Sequence, residues 1–268
     1  MSDPHASGHP AVEPPAFEGI DNFRDFGGYP TADGRQVKRG RLFRSAHHGR
    51  ATEADLTALH ALNLAAIVDL RRTDERRRDP NLRPAACGAE VIENDIAQED
   101  ETFITFLMNS DLTAEAMREE LVRYYVNAPF EPRHIDLYSR YFRALAQADG
   151  PVLIHCAAGK DRTGILAALT HHVVGVPYEE SVADYLLTND PQRIESRLTL
   201  FGDFVEEVTG RRASDEALRT TMGVDALYLD TAFATIAERY GSVDAYLEQA
   251  LGVDNALRQA IRQRLLQD

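Results

Sequence analysis

From Phe17 onward the chain alternates between short aliphatic runs and longer stretches with helical spacing. "LAAIVDL", which carries Asp69 near its end, and "GPVLIH", ending at His155, are continuous apolar runs of strand length, the pattern of strands buried on both faces. "GRLFRSA" and "AEVIEND" read as two further short strands. "IDNFRDFGGYPTADGRQV" offers two extended stretches around a turn marked by Gly27, Gly28 and "ADG". "ATEADLTALHALN" puts Leu56, Leu59 and Leu62 on or near one helical face, with Thr52 placed to cap it. "HIDLYSRYFRALAQ", "TGILAALTHHVVG" and "PYEESVADYLLTND" are the next helices, and "RRTDERRRDPN" reads as a polar loop closed by Pro80. From Pro191 to Asp268 the pattern is mostly helical, with breaks near Gly210, Gly223 and Gly252. Strands alternating with helices predict an α/β fold: a central, mainly parallel sheet flanked by helices, with a helical insertion and a helical C-terminal region.

Residues 1–16, rich in Pro, Ser, Gly and His, read as a disordered tail, and 17–268 as a single domain. Within it, 98–130 is helical but mixed in polarity, as expected of a lid; its "FITFLM" face could shield a site, dock on a membrane or simply pack. A net charge of −14 argues against a nucleic-acid partner, so any phosphate chemistry has to sit in a local basic pocket. No apolar run approaches bilayer length, so no integral membrane segment is expected. The N-terminus lacks the basic and apolar regions of a secretory signal. Cys87 and Cys156 give neither a disulfide framework nor zinc-type pairs, which makes a cytoplasmic location the default, with signal-less secretion still open.

One of those cysteines sits in "HCAAGKDRTG", His155 to Gly164, between a predicted strand and a predicted helix. Strand, glycine-containing loop and helix N-terminus together make an anion site, because backbone N–H groups converge there. A cysteine at the strand's C-terminal edge faces that site, and such settings favour the nucleophilic thiolate. Arg162 can grip two phosphoryl oxygens with its planar fork. Thr163 can donate to the sulfur, and Gly159 lets the backbone approach the anion. Ala157, Ala158, Lys160, Asp161 and Gly164 complete the binding loop, Lys160 being one of only two lysines in the chain. His155 reads as an organiser of the loop rather than a base.

The motif resembles the signature loop of the cysteine-dependent protein tyrosine phosphatases. In the fuller form, with Gly-Lys-Asp-Arg-Thr-Gly from Gly159 to Gly164, it is similar to an atypical bacterial group of tyrosine and phosphoinositide phosphatases. "NFRDFGGY", "GRLFRSA", "IVDLR" followed by Glu75, "ADYLLTND" and "YGSVDAYLEQALG" look like family blocks in family order. The resemblance implies phosphomonoester hydrolysis in two steps through a cysteinyl phosphate on Cys156, with no metal or other cofactor. It implies a phosphorylated protein as substrate, chiefly phosphotyrosine, with phosphoserine, phosphothreonine and phosphoinositides as further candidates. Lys160 would add a second charge for multiply phosphorylated headgroups.

The general acid is less legible. The Trp-Pro-Asp loop usual among tyrosine phosphatases is absent, since the chain has no Trp. Asp95, just past a predicted strand, is the first candidate and Asp161, inside the loop, the second; Asp69 is the third, with a structural role as its alternative. Glu75 could fix the Arg162 guanidinium in its productive plane. A bond between Cys87 and Cys156 would protect the nucleophile from over-oxidation. Two other readings stand beside hydrolysis: a catalytically silent phosphate-binding module, and a rhodanese-like sulfurtransferase. The intact Cys156, Arg162 and Thr163 disfavour the first, and the arginine spacing disfavours the second. Oligomeric state is not legible.

Overall fold

The computed structural model describes residues 17–84, 87–97 and 103–268. The expected tail at 1–16 and the start of the expected lid, 98–102, lie outside these residues.

Among the described residues seven strands form, β1 Arg24–Asp25, β2 Gln36–Val37, β3 Leu42–Ser45, β4 Ala66–Asp69, β5 Glu90–Ile92, β6 Val152–His155 and β7 Leu266–Gln267. Five of them make one sheet in the order β1-β3-β6-β4-β5, parallel except for β1 at the edge. β2 and β7 form a separate antiparallel pair. The helices are α1 Glu53–Ala61, α2 Thr73–Arg78, α3 Phe103–Asn109, α4 Ala114–Asn127, α5 Pro132–Gln147 and α6 Asp161–Val174, then α7 Tyr178–Leu186, α8 Pro191–Thr209, α9 Asp215–Met222, α10 Ala226–Tyr240, α11 Val243–Gln249 and α12 Asn255–Leu265. This is the expected α/β architecture.

Side chains alternate across the sheet, as the twofold period of a strand requires. Leu42, Ala66, Val68, Val152 and Ile154 face the larger core with α5, α6, α10 and α12. Phe43, Ile67 and Leu153 face the smaller one with Leu59 of α1. Thr52 caps α1 through a reciprocal pair of bonds with Asp55. A third apolar cluster joins Leu107 of α3, Met117 of α4, Leu198 and Val205 of α8 and Leu218 of α9, away from the sheet. The insertion at 103–127 therefore packs with C-terminal helices.

One expectation needs correction, and one detail lies outside the helical pattern. The stretch read as a polar loop contains α2, which has no apolar stripe and so leaves no periodic signal. It is held by Glu75, whose Oε2 accepts the Arg72 N–H at 2.8 Å. Acids in its first turn and arginines in its last also suit the helix dipole. At the C-terminus, Leu266–Gln267 pairs with Gln36–Val37 instead of continuing the helix.

Candidate active site

Three parallel strands end together, with Ser45 of β3 and Asp69 of β4 both in register with His155 of β6. The carboxyl edge of a parallel sheet is where ligand sites form. Strand parity carries Cys156 onto the face of Val152 and Ile154, where it is 2% exposed. The chain then turns through 157–160 and enters α6 at Asp161. Gly159 has φ +65°, and a Cβ there would lie 2.4 Å from the Ser45 carbonyl carbon. Only glycine lets the loop cross the end of β3 this closely. A Cβ on Gly164 would meet the Tyr185 ring at 2.8 Å, so the start of α6 is pressed against α7. Ala157 and Ala158 place only methyl groups on the turn.

Arg162 is gripped from α2. Its Nη1 donates to Glu75 Oε2 at 2.6 Å and its Nη2 to Glu75 Oε1 at 2.8 Å, while Nη1 also reaches the Leu70 carbonyl at 3.2 Å. Arg133 sends both Nη atoms to that carbonyl at 3.1 Å, so a second buried guanidinium lies beside the first. Burial pushes the Glu75 carboxyl up, but Arg162 and the Arg72 N–H outweigh it and hold Glu75 well below the usual carboxylate range. Burial likewise pulls Arg162 down and is outweighed by Glu75. The pair stays charged, with its fork fixed in one plane.

His155 is fully buried. Its Nε2 lies 3.2 Å from Asn81 Nδ2 and 3.7 Å from Asp69 Oδ2, and its Nδ1 lies 3.3 Å from the Cys156 carbonyl. Burial pushes it down to about 4, with Asp69 pulling the other way, so the ring is neutral at physiological pH. Asp69 itself accepts from the Arg71 N–H, Nε and Nη2 and from Asn81 Nδ2. Burial raises its carboxyl, and His155 and Arg71 more than reverse that. Asp69 thus anchors the loop's base and is not free to transfer protons.

The two acid candidates sit in different settings. Asp161, in the first turn of α6, accepts from the Tyr125 hydroxyl at 2.9 Å, and Tyr125 lies 2.6 Å from the Tyr185 hydroxyl. Asp95 is an exposed carboxylate that accepts from Thr73 Oγ1 at 2.6 Å and from Arg76 Nη2. The Thr73 bond and the Arg76 charge hold it below its ordinary value, which favours the ionised form rather than the proton donor.

Lys160 departs from expectation. Its ammonium donates to the carbonyls of Thr221 at 2.5 Å and Gly223 at 3.1 Å, lies 3.4 Å from Asp161 Oδ1, and is 4% exposed. The last carbonyls of a helix lack intrahelical partners and carry partial negative charge, so the end of α9 captures the lysine. The second loop charge anchors α9 instead of facing the substrate. Thr163 Oγ1 is buried and makes no hydrogen bond, and the same holds for the Tyr124 hydroxyl, which burial pushes well above its ordinary value while Arg162 pulls the other way. Sequence reasoning missed Tyr124, Tyr125 and Arg133, since "VRYYVN" and "EPRH" show only helical packing residues.

Cys87 and Cys156 are free thiols in different clusters, Cys87 packing with the Leu59 group. Among the described residues, no three His, Cys, Asp or Glu side chains gather to hold a metal ion, and no helix is long and apolar enough to cross a membrane.

The triple specificity protein phosphatase PtpB of Mycobacterium tuberculosis is 34% identical over 280 residues, covering 92% of this chain and 97% of its own length. A Cupriavidus necator protein is 32% identical over 248 residues, with 90% and 85% covered. The tyrosine-protein phosphatase of Nostoc commune is 28% identical over 242 residues, with 88% and 78% covered. The crystal structure of P. aeruginosa TpbA aligns over 73% of this chain and 96% of its own, at 18% identity and a TM-score of 0.33. The family model described as the tyrosine phosphatase family matches residues 15–267. With nearly the whole described chain inside that match, the protein belongs to the tyrosine phosphatase family.

Proposed function

We propose that the protein hydrolyses phosphomonoesters through a cysteinyl-phosphate intermediate, with protein phosphotyrosine as the leading substrate. The observation that carries this reading is the Arg162 fork, locked by Glu75 at the start of the helix that follows the Cys156 loop. The Cys156 thiolate attacks phosphorus, forming the S–P bond as the bond to the leaving oxygen breaks. Arg162 and the loop N–H groups hold the three equatorial oxygens. An acid gives its proton to the departing phenolate. Water then attacks phosphorus, passing a proton to the carboxylate left by the first step, the S–P electrons return to sulfur, and inorganic phosphate leaves. The unpartnered Thr163 hydroxyl is available to donate to the sulfur as it departs.

Asp161 is the better-supported acid. It belongs to the predicted binding loop itself and opens α6, whereas Asp95 lies on an exposed stretch tied to Thr73 and Arg76. Asp161→Asn should lower kcat by about 10²–10³ and abolish the alkaline limb of its pH profile. Asp95→Asn should leave that limb in place. The reverse outcome assigns the acid to Asp95, and two intact limbs reject both residues.

The decisive assay is phosphate release from phosphotyrosine, phosphoserine and phosphothreonine peptides and from phosphoinositide vesicles, each at matched concentration. Fastest release from phosphotyrosine is expected. No release from any of them rejects hydrolysis, and cyanide-dependent thiocyanate formation from thiosulfate by the same protein would favour sulfur transfer.

A further inference from the structure

Asn22, Arg24, Arg44 and Asp184 take no part in the chemistry above, yet they form a closed ring behind the loop. Arg44, fully buried at the centre of β3, donates from Nη1 to Asp184 Oδ2 at 2.6 Å and from Nη2 to the carbonyls of Gly159 at 3.0 Å and Lys160 at 3.4 Å. Asp184, on α7, also accepts from Arg24 Nε at 3.1 Å through Oδ1, and its carbonyl accepts from Arg24 Nη2 at 2.9 Å. Arg24 Nη1 donates to Asn22 Oδ1 at 2.6 Å. Asn22 Nδ2 returns to the loop, donating to the carbonyls of Gly159 at 2.8 Å and Ala158 at 3.3 Å. The circuit begins and ends on the Gly159 carbonyl.

A trans peptide points its N–H opposite its C=O. Holding the carbonyls of Ala158, Gly159 and Lys160 from behind therefore turns the N–H groups of Gly159, Lys160 and Asp161 the other way. Resting on the hydrolytic reading above, we propose that the ring of Asn22, Arg24, Arg44 and Asp184 positions the phosphate loop, fixing the direction of three amide donors that receive phosphoryl oxygens. The ring has an electrostatic part as well. Two guanidinium groups against one carboxylate leave a buried positive charge behind the loop, favourable to a dianion in front of it. Burial raises the Asp184 carboxyl, but Arg24 and Arg44 bring it down to about 2, so this charge balance holds across the working pH range. Three of the stretches that resemble phosphatase-family blocks, "NFRDFGGY", "GRLFRSA" and "ADYLLTND", each supply members of the ring.

A merely structural pin would make a different prediction. Cutting it would lower the melting temperature but leave the anion affinity of the folded protein unchanged. Asn22 has φ +55°, so Asn22→Gly removes the side chain without straining the backbone, where alanine would not. Arg44→Lys keeps the charge and loses the fork. With p-nitrophenyl phosphate as substrate and inorganic phosphate as competitive inhibitor, the phosphate inhibition constant should rise about tenfold in Asn22→Gly and at least as much in Arg44→Lys, with kcat falling in both. The inhibition constant does not depend on how much of the sample is folded. Should Arg44→Lys fail to fold, Asn22→Gly at the rim of the ring decides alone. A folded Asn22→Gly with the wild-type inhibition constant overturns the proposal. If the wild type neither hydrolyses the substrate nor binds phosphate, the site assignment has failed rather than the ring.

Discussion

Cys156→Ser is expected to reduce phosphate release by about five orders of magnitude or more while leaving phosphate binding in place. The two halves of that expectation come from different atoms. In the proposed site binding depends on the loop amides and on Arg162, which the substitution leaves in place. In the proposed mechanism turnover depends on sulfur as the nucleophile, and a serine hydroxyl is a far weaker acid than a thiol. A serine hydroxyl would need a base to take its proton. The only imidazole adjoining it in sequence, His155, accepts at Nε2 from Asn81 and donates at Nδ1 to the Cys156 carbonyl, so both ring nitrogens are engaged. Oxygen for sulfur is a small change of volume at a site already 2% exposed, and the fold should tolerate it. The checks are phosphate release per mole of enzyme and the phosphate dissociation constant by calorimetry. A variant that retains wild-type release ends the nucleophile assignment. A silent binding module predicts no release from wild type or variant, with binding equal in both.

The parts of this site that were legible in sequence are those made by one continuous segment. The aliphatic run before His155 requires a strand, parity sets the face of Cys156, and the Gly159 to Gly164 pattern requires a loop opening a helix. Other parts depend on pairs of residues far apart in the chain, and no local pattern encodes them. The six residues of α2 carry no apolar stripe, because the helix is fixed by one acid, Glu75, whose partner Arg162 lies 87 positions away. The sequence groups Lys160 with the candidate phosphate-binding loop, but the carbonyls at the end of α9 take its charge. Asp95 followed a correctly read strand, and only the fold brings Arg76 and Thr73 to it. The ring behind the loop joins segments that the family resemblance flagged as blocks without saying what they do.

Arg162 and Glu75 are the second point at which a single substitution should have a large effect, and the direction differs by partner. Arg162→Lys removes a two-pronged contact to the transferring group, which a point charge cannot replace, and kcat should fall by about 10³–10⁴ with a smaller change in KM. Arg162→Ala additionally strands a buried carboxylate, for which the expected loss of stability is about 3–5 kcal/mol. Glu75→Gln leaves the guanidinium in the site but gives it one acceptor in place of a charged fork. The misorientation should lower kcat by about a hundredfold. Acid titration separates this orienting role from catalysis. The Glu75 carboxyl is held well below its ordinary value of 4.5, so its stabilising contribution is complete above that pH and disappears as the pH falls toward the folded-state value. Glu75→Gln has no such contribution to lose. The difference in melting temperature between wild type and Glu75→Gln should therefore be largest near neutrality and shrink progressively below about pH 4.5, where the unfolded wild-type chain takes up a proton that the folded carboxylate does not. A difference that stays constant from pH 7 to pH 3 means that the carboxylate is not held by Arg162, and with that the fixed orientation of the fork would be lost as an explanation for turnover.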